Sequence, residues 1–284
     1  FFHPHPANPD AQESRGLGDV YKRQIKNRFA LVCASSKGLG FSVVESLLEE
    51  GCNVLMTSRN LDNLNDAEKI INQKKFSGVL NKFECDLSKP EEIINLYNHA
   101  ISLTDRIDIL VNNCGGPKPG NFEDVSSDDF DYAITQNLKN TIDLTKLILP
   151  LMKKNFWGRI VNIASSSVKQ PIDNLILSNI TRSGLISFAK TISNQYASFN
   201  ILINNVLPGR ILTDRIKQIA KQKADKENID INTVIDQLSD DLPIKRLGQI
   251  SEFGPLVAFL CSEKSSYITG NSIQVDGGLI KSLF

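Results

Sequence analysis

From residue 29 onward, short apolar runs alternate with longer segments whose apolar residues recur at helical spacing. FALVCA at 29–34 is an unbroken apolar run, which suits a strand covered on both faces. From Gly38 to Glu50, Phe41, Val44, Leu47 and Leu48 share one face of a helix, and Gly51 follows where a helix end favours glycine. A second strand is predicted at 53–58, a polar helix at 61–73 and a third strand at 78–85. Ser88 or a neighbour caps the next helix, with Pro90 in its first turn. Strands follow at 107–113, 158–165, 200–208 and 271–278, separated by long helices at 127–154 and 174–199 and a shorter one at 251–261. Strands that alternate with helices in this way predict one α/β domain. Its seven-stranded parallel sheet is doubly wound, with helices on both faces.

Two segments depart from the alternation. Residues 213–241 are rich in Lys, Asp and Gln and read as helical. Placed after the sixth strand, this insert, about 210–245, is expected to be a mobile lid over a pocket; a solvated helical pair is the alternative. Residues 1–24 are Pro-rich at first and lack periodicity, and SRGLGDVYKRQ at 14–24 does not look native. They are expected to form a disordered tail outside the domain at 25–284.

Composition narrows the function classes. With 41% hydrophobic and 23% charged residues, the chain is expected to be soluble and globular. Its 32 basic and 32 acidic residues balance, which gives no basis for nucleic-acid or membrane-surface binding. No apolar stretch of about 18 residues is present, so no membrane span is expected. The five cysteines are scattered without metal-like spacing and read as reduced thiols of a cytoplasmic protein. The only histidines are His3, His5 and His99, which argues against a Ser-His-Asp triad or a His-rich metal site.

The chemistry begins where the first strand runs into Cys33-Ala34-Ser35-Ser36-Lys37-Gly38-Leu39-Gly40 and then a helix. In a parallel sheet this turn lies at the carboxyl edge, where ligands bind. Glycines let the backbone approach a pyrophosphate, and the helix start offers free N–H groups and partial positive charge. The second strand ends in Ser58-Arg59-Asn60 rather than in an acidic residue. Lys37 and Arg59 suit the extra 2′-phosphate of NADP better than the bare ribose of NAD.

These segments resemble the short-chain dehydrogenase/reductase family, closest to its 3-oxoacyl-[acyl-carrier-protein] reductase-like branch, from about residue 26 to the C-terminus. The family's T-G-x-x-x-G-x-G loop aligns with Cys33 to Gly40, with Cys33 for Thr and Ala34 for Gly. Alanine there is acceptable only if its φ is negative. Asp86-Leu87 falls where the family contacts adenine, and Asn112-Asn113-Cys114-Gly115-Gly116 resembles its N-N-A-G. Asn137 matches a helix asparagine, for which helix bending and a water relay are both open. Pro208-Gly209-Arg210-Ile211-Leu212-Thr213 resembles the P-G-x-x-x-T beside the nicotinamide. Tyr267 to Gly270 and Val275 to Gly278 resemble the closing signature. The resemblance implies a Rossmann fold and an NADP site built from these residues. It also implies a homodimer or homotetramer through the two long helices and the last strand.

The family's catalytic Ser falls on Ser165, but its Tyr-x-x-x-Lys falls on Ser178 and Arg182. No tyrosine lies between Tyr132 and Tyr196 to restore it. A serine hydroxyl is a far weaker acid than a phenol of pKa about 10. Ser178 can still hydrogen-bond a developing oxyanion, and Arg182 can hold ribose hydroxyls or an anionic substrate group. The expectation is therefore an NADP-dependent oxidoreductase acting on a small carbonyl or alcohol. Ser165, Ser178, Arg182 and Asn137 form its centre, and no metal takes part. The alternative is a catalytically impaired dinucleotide-binding or regulatory protein on the same fold.

Overall fold

The computed structural model describes residues 25–283. The tail at 1–24, with His3 and His5, lies outside the described residues. Seven parallel strands form one sheet: β1 (Phe29–Val32), β2 (Asn53–Ser58), β3 (Leu80–Glu84), β4 (Ile109–Asn112), β5 (Gly158–Ile163), β6 (Ile201–Pro208) and β7 (Ser272–Val275). Their order is β3-β2-β1-β4-β5-β6-β7. Val32 of β1 pairs with Met56 of β2 on one side and Val111 of β4 on the other. The chain reverses its direction of travel across the sheet between β1 and β4, so a crevice opens there above the strand ends.

Helices cover both faces because the inner strands carry apolar side chains on both faces. Under one face, α1 (Gly38–Glu49), α2 (Leu61–Asn72) and α9 (Gly254–Leu260) bury Val44, Leu47, Ala67 and Val257 against Val32, Val54 and Val206. On the other face lie α3 (Pro90–Leu103), α5 (Asn140–Lys154) and α6 (Ile176–Tyr196). They bury Leu96, Ile148 and Ala189 against Leu31, Leu110 and Ile203. Gly51 follows α1 at φ +81°, the left-handed turn expected of a terminating glycine.

Several boundaries and details differ from the sequence expectation. β1 stops at Val32 because Cys33 to Lys37 turn away to start α1. Of the cap candidates at Ser88 and its neighbours, Lys89 occupies the cap position of α3, with Pro90 in the first turn as expected. Ser88 instead donates its hydroxyl to Asp86 Oδ1 at 2.8 Å. The helix expected over 127–154 is α4 (Ser127–Ile134), a π-helical turn at Thr135–Lys139 and α5. The insert folds as two helices, α7 (Asp214–Glu227) and α8 (Ile231–Asp240), around a small core of Ala220, Ala224 and Val234. Arg210 ties that hairpin back to the end of β6 through Leu238 O at 2.7 Å and Asp241 at 2.8 Å. The pair is thus docked by a side chain of the β6–α7 loop rather than only solvated.

The condition set for Ala34 fails: its φ is +44°, in the left-handed region. Two neighbours hold it there. Asn113 Nδ2 donates to Ala34 O at 2.9 Å, and Ser35 N donates to Thr57 O at 2.7 Å. Left-handed backbone costs a non-glycine residue about 1–2 kcal/mol, against about 0.5–1 kcal/mol of chain entropy that glycine would lose. Ala34→Gly is therefore expected to raise unfolding stability by about 1 kcal/mol, measured by urea denaturation; an unchanged midpoint would show that the loop relaxes around alanine at no cost.

Candidate active site

The turn after β1 is fixed on both sides before any ligand is considered. Ser35 Oγ donates to Val32 O at 2.8 Å and accepts from Thr57 N at 3.2 Å, which ties the turn to β2. Asn113, just past β4, holds it from the other side through Ala34 O. Gly40 lies under this turn, where a Cβ would sit 2.7 Å from Ala34 O and 2.8 Å from Ser35 Cα. No side chain larger than hydrogen fits, so the glycine brings α1 close beneath the turn.

The start of α1 is electrostatically open. Lys37 is its cap residue and makes no capping hydrogen bond, and the first turn holds no acidic side chain. Its N–H groups and the positive helix end therefore face the crevice without a built-in anion. By contrast, α2 is closed by Asn60, whose Oδ1 accepts from Asn63 N at 2.8 Å. Neither Lys37 nor Arg59 has an ion pair within the described residues. Burial opposes ionisation of Asp86, yet hydrogen bonds from Ser88 N and Oγ, helped by Lys89 and Arg59, hold its carboxyl below the usual range.

Two adjoining cavities occupy the crevice. One of about 640 Å³ runs past Ser36, Lys37, Gly38, Arg59, Asp86 and Asn113. The second, of about 570 Å³, lies over the ends of β5 and β6 and is walled by Ser165, Ser178, Arg182, Pro208, Gly209 and Ile211. Leu39, Asn113, Cys114 and Thr213 line both, so the two spaces meet there. Together they form an elongated space with the start of α1 at one end and the two serines at the other.

The polar groups at that second end are oriented by backbone and by a buried ladder. Asn112, Asn162 and Asn205 lie in register across β4, β5 and β6. Asn112 Nδ2 donates to Asn162 Oδ1 at 2.9 Å, and Asn162 Nδ2 donates to Asn205 Oδ1 at 2.9 Å. Arg182 is 5% exposed and bridges strand ends, donating to Ile163 O at 3.1 Å and Cys114 O at 3.4 Å. Ser165 Oγ accepts from Ser167 N at 3.1 Å, which leaves its own proton free to donate into the cavity. Ser178 lines the cavity, and its Oγ has no hydrogen bond to another described residue.

Most residues singled out from sequence reach these walls. Ala34, Ser36, Lys37, Gly38, Leu39, Ser58, Arg59, Asp86, Leu87, Asn113, Cys114, Gly115 and Thr213 line the first cavity; Ser165, Ser178, Arg182, Pro208, Gly209 and Ile211 line the second. Gly40 acts by packing, as above. Asn60 caps α2 and Asn137 is fully buried behind Cys114, so neither reaches a wall. Asn137 Nδ2 donates to Ala133 O at 3.2 Å at the π-helical turn, the helix-bending contact, and its Oδ1 accepts from Cys114 Sγ at 3.2 Å. His99 stacks on Phe83 with ring centroids 4.4 Å apart, outside both cavities. The sequence reading missed Asn162 and Asn205, although an asparagine near the end of three successive strands was a visible signal. It also missed Arg215, which lines both cavities. Among the described residues no group of His, Cys, Asp and Glu is placed to hold a metal, and no helix is long and apolar enough to cross a membrane.

The sheet order, the glycine-bearing turn and the crevice define a dinucleotide-binding α/β protein. Residues 33–280 match the family described as Enoyl-(Acyl carrier protein) reductase. The chain is 33% identical to the NADPH-dependent reductase BacG of Bacillus subtilis, over 91% of this chain and 100% of that protein. It is 32% identical to the 3-oxoacyl-[acyl-carrier-protein] reductase FabG of Aquifex aeolicus, over 90% and 98% respectively. The crystal structure of YwfH, an NADPH dependent reductase involved in bacilysin biosynthesis, superposes with a TM-score of 0.86 at 33% identity, covering 91% of this chain and 100% of that one. The chain belongs to the short-chain dehydrogenase/reductase family of oxidoreductases.

The cysteines give a probe of the crevice. Burial pushes the Cys85 and Cys261 thiols up to about 12, and raises those of Cys33 and Cys52 as well. Only Cys114 is partly exposed, and it sits where the cavities meet. At pH 8 a thiol reagent such as 5,5′-dithiobis(2-nitrobenzoate) is expected to modify one cysteine per chain rapidly, Cys114 by peptide mapping, and ligand in the crevice is expected to slow it. Rapid modification of a second thiol in the native protein would contradict this placement.

Proposed function

We propose that the chain is an NADPH-dependent reductase of a small carbonyl compound, working with Ser178 and Arg182 where its family resemblance implies Tyr and Lys. The observation that carries this reading is the continuity of the two cavities. One end offers an uncapped helix N-terminus with Lys37 and Arg59 unpaired; the other offers Ser165, Ser178 and Arg182. The residues fit the cofactor. Gly38 and Gly40 allow close backbone approach, Lys37 and Arg59 answer a 2′-phosphate, and Asp86 and Leu87 face the adenine end. The NADPH dependence of BacG and YwfH supports the same choice. When bound, the nicotinamide supplies hydride to the carbonyl carbon.

The side chains handle the oxygen. Ser165 keeps a free O–H because its lone pair is engaged by Ser167 N. Ser178 offers a second O–H that no described residue engages. Both can hydrogen-bond the carbonyl oxygen as negative charge builds, with the buried Arg182 charge nearby to favour it. Neither serine is acidic enough to be left as an alkoxide at neutral pH, and water is no stronger an acid. In this reading the product alkoxide therefore takes its proton from bulk solvent, passed along water that the serines hold in the open cavity and that ends neutral. Arg182 replaces a group that can shed a proton with one that cannot, so it acts as fixed charge and as a brace between strand ends.

The same reading places the α7–α8 hairpin as a lid over the second cavity, since Ile216, Ile219 and Leu238 form part of its wall. It also takes the protein as a homodimer or homotetramer of a reducing compartment. Ile134 at the end of α4, Ile180 on α6 and Tyr267 before β7 leave apolar surface exposed, and all five cysteines are free.

The test is NADPH oxidation over a panel of ketones and aldehydes, with cofactor affinity measured by calorimetry. Turnover above background with NADPH, and at least tenfold weaker binding of NADH, is expected. Lys37→Ala combined with Arg59→Ala should erase that preference by weakening NADPH alone. Tight NADPH binding with no turnover on any carbonyl would sink the reductase reading and leave a dinucleotide-binding protein.

A further inference from the structure

Arginine pairing across the molecule is uneven. Of the described arginines, Arg28, Arg106, Arg159, Arg210 and Arg246 each contact a carboxylate, on Asp108, Glu263, Asp241 or Glu252. Arg59, Arg182 and Arg215 do not, and all three line the crevice. Arg59 lies at the phosphate end. Arg182 and Arg215 lie together in the wall of the second cavity.

Arg215 comes from the first turn of α7 and reaches across the mouth of the crevice. Its Nη2 donates to Pro117 O at 3.0 Å, and its guanidinium lies over Gly116, where a Cβ would sit 2.9 Å from Cζ. Much of the side chain is exposed, but its head is partly buried by this contact. Burial, and after it the neighbouring Arg182 charge, hold the Arg215 guanidinium below its ordinary range, so the two cations sense one another. Arg182 is itself buried and satisfied only by neutral carbonyls. Two like charges facing one cavity, one of them buried, are unfavourable until an anion sits between them. Arg215 Nη2 gives one N–H to Pro117 O; its second N–H, with the Nε–H or Nη1–H beside it, is engaged by no described residue and leaves a two-donor edge that matches a planar carboxylate. The rest of the wall is apolar, with Ile172, Leu175, Ile219 and Leu279.

We propose that Arg215, with Arg182, is a carboxylate clamp, and that the substrates are oxo acids with an apolar body. The inference rests on the reading of the second cavity as a substrate site and adds the substrate class to it. Arg215 is a specificity-determining residue in this arrangement: it holds the acid group while the carbonyl lies toward Ser165 and Ser178. A free acid is then preferred to its ester, because only the acid neutralises the pair.

The test uses matched probes on the NADP-loaded protein: levulinate, 4-oxocyclohexanecarboxylate and benzoylformate, each against its methyl ester. Binding is read by calorimetry and turnover by NADPH oxidation. At least one acid is expected to bind tenfold or more tightly than its ester. Arg215→Leu should bring that ratio close to one, and Arg215→Lys should restore part of it. Acid binding that survives without turnover keeps the clamp and removes the reductase. Acids and esters reduced with equal KM keep the reductase and overturn the clamp. The clamp is also overturned if Arg215→Leu weakens NADPH binding and leaves the acid-to-ester ratio unchanged, since Arg215 would then serve the cofactor. Thermal melting of each variant separates these outcomes from loss of fold.

Discussion

The structure depends on one constraint: the turn from Cys33 to Gly40 must be held open between β2 and β4 while α1 starts directly beneath it. Ser35 grips β2 at Thr57, Asn113 grips Ala34 from β4, and Gly40 leaves no atom in between. These contacts exist because β1 is the strand from which the chain first builds outward and then crosses back. A side chain at Gly40 would separate α1 from the sheet and close the helix end to any anion. The cost of this architecture is visible at Ala34, which accepts a left-handed backbone to keep the turn in place.

A second layer of order comes from polar groups inside the sheet. The Asn112–Asn162–Asn205 ladder links the carboxyl ends of three strands, and Arg182 bridges β5 to the loop after β4. Buried amides satisfied by one another resist slippage of register, because any shift leaves donors unpaired. Ser165 therefore projects into the second cavity from a rigid edge. The π-helical turn at Asn137 serves the same end, since the bend seats a buried amide against Cys114 where the cavities join.

In the proposed reading, Ser178 and Arg182 stand where the family resemblance implies a phenol and an amine, and that changes what the centre can do with charge. A phenol beside an ammonium gives up a proton readily; a serine beside a guanidinium does not. What remains is a set of fixed donors and a permanent positive field, strengthened by Arg215 at the cavity mouth. Such a centre is suited to holding negative charge on a ligand, and the proton itself has to arrive by water.

The sequence by itself determined the strand and helix alternation, the parallel sheet and the glycine-bearing turn between β1 and α1. Hydrophobic periodicity and glycine placement are local properties, readable one window at a time. The family resemblance pointed to Ser165, Ser178 and Arg182, and all three line the second cavity. The sequence did not determine the backbone sign at Ala34, which Asn113 and Thr57 impose from other strands. Asn60 looked like a ligand residue and serves as a cap, because its side chain meets Asn63 N before it meets the crevice. The asparagine ladder and the Arg182–Arg215 pair join residues far apart in the chain. Only the tertiary fold, by setting strand register and docking α7 over Gly116, decided that they meet.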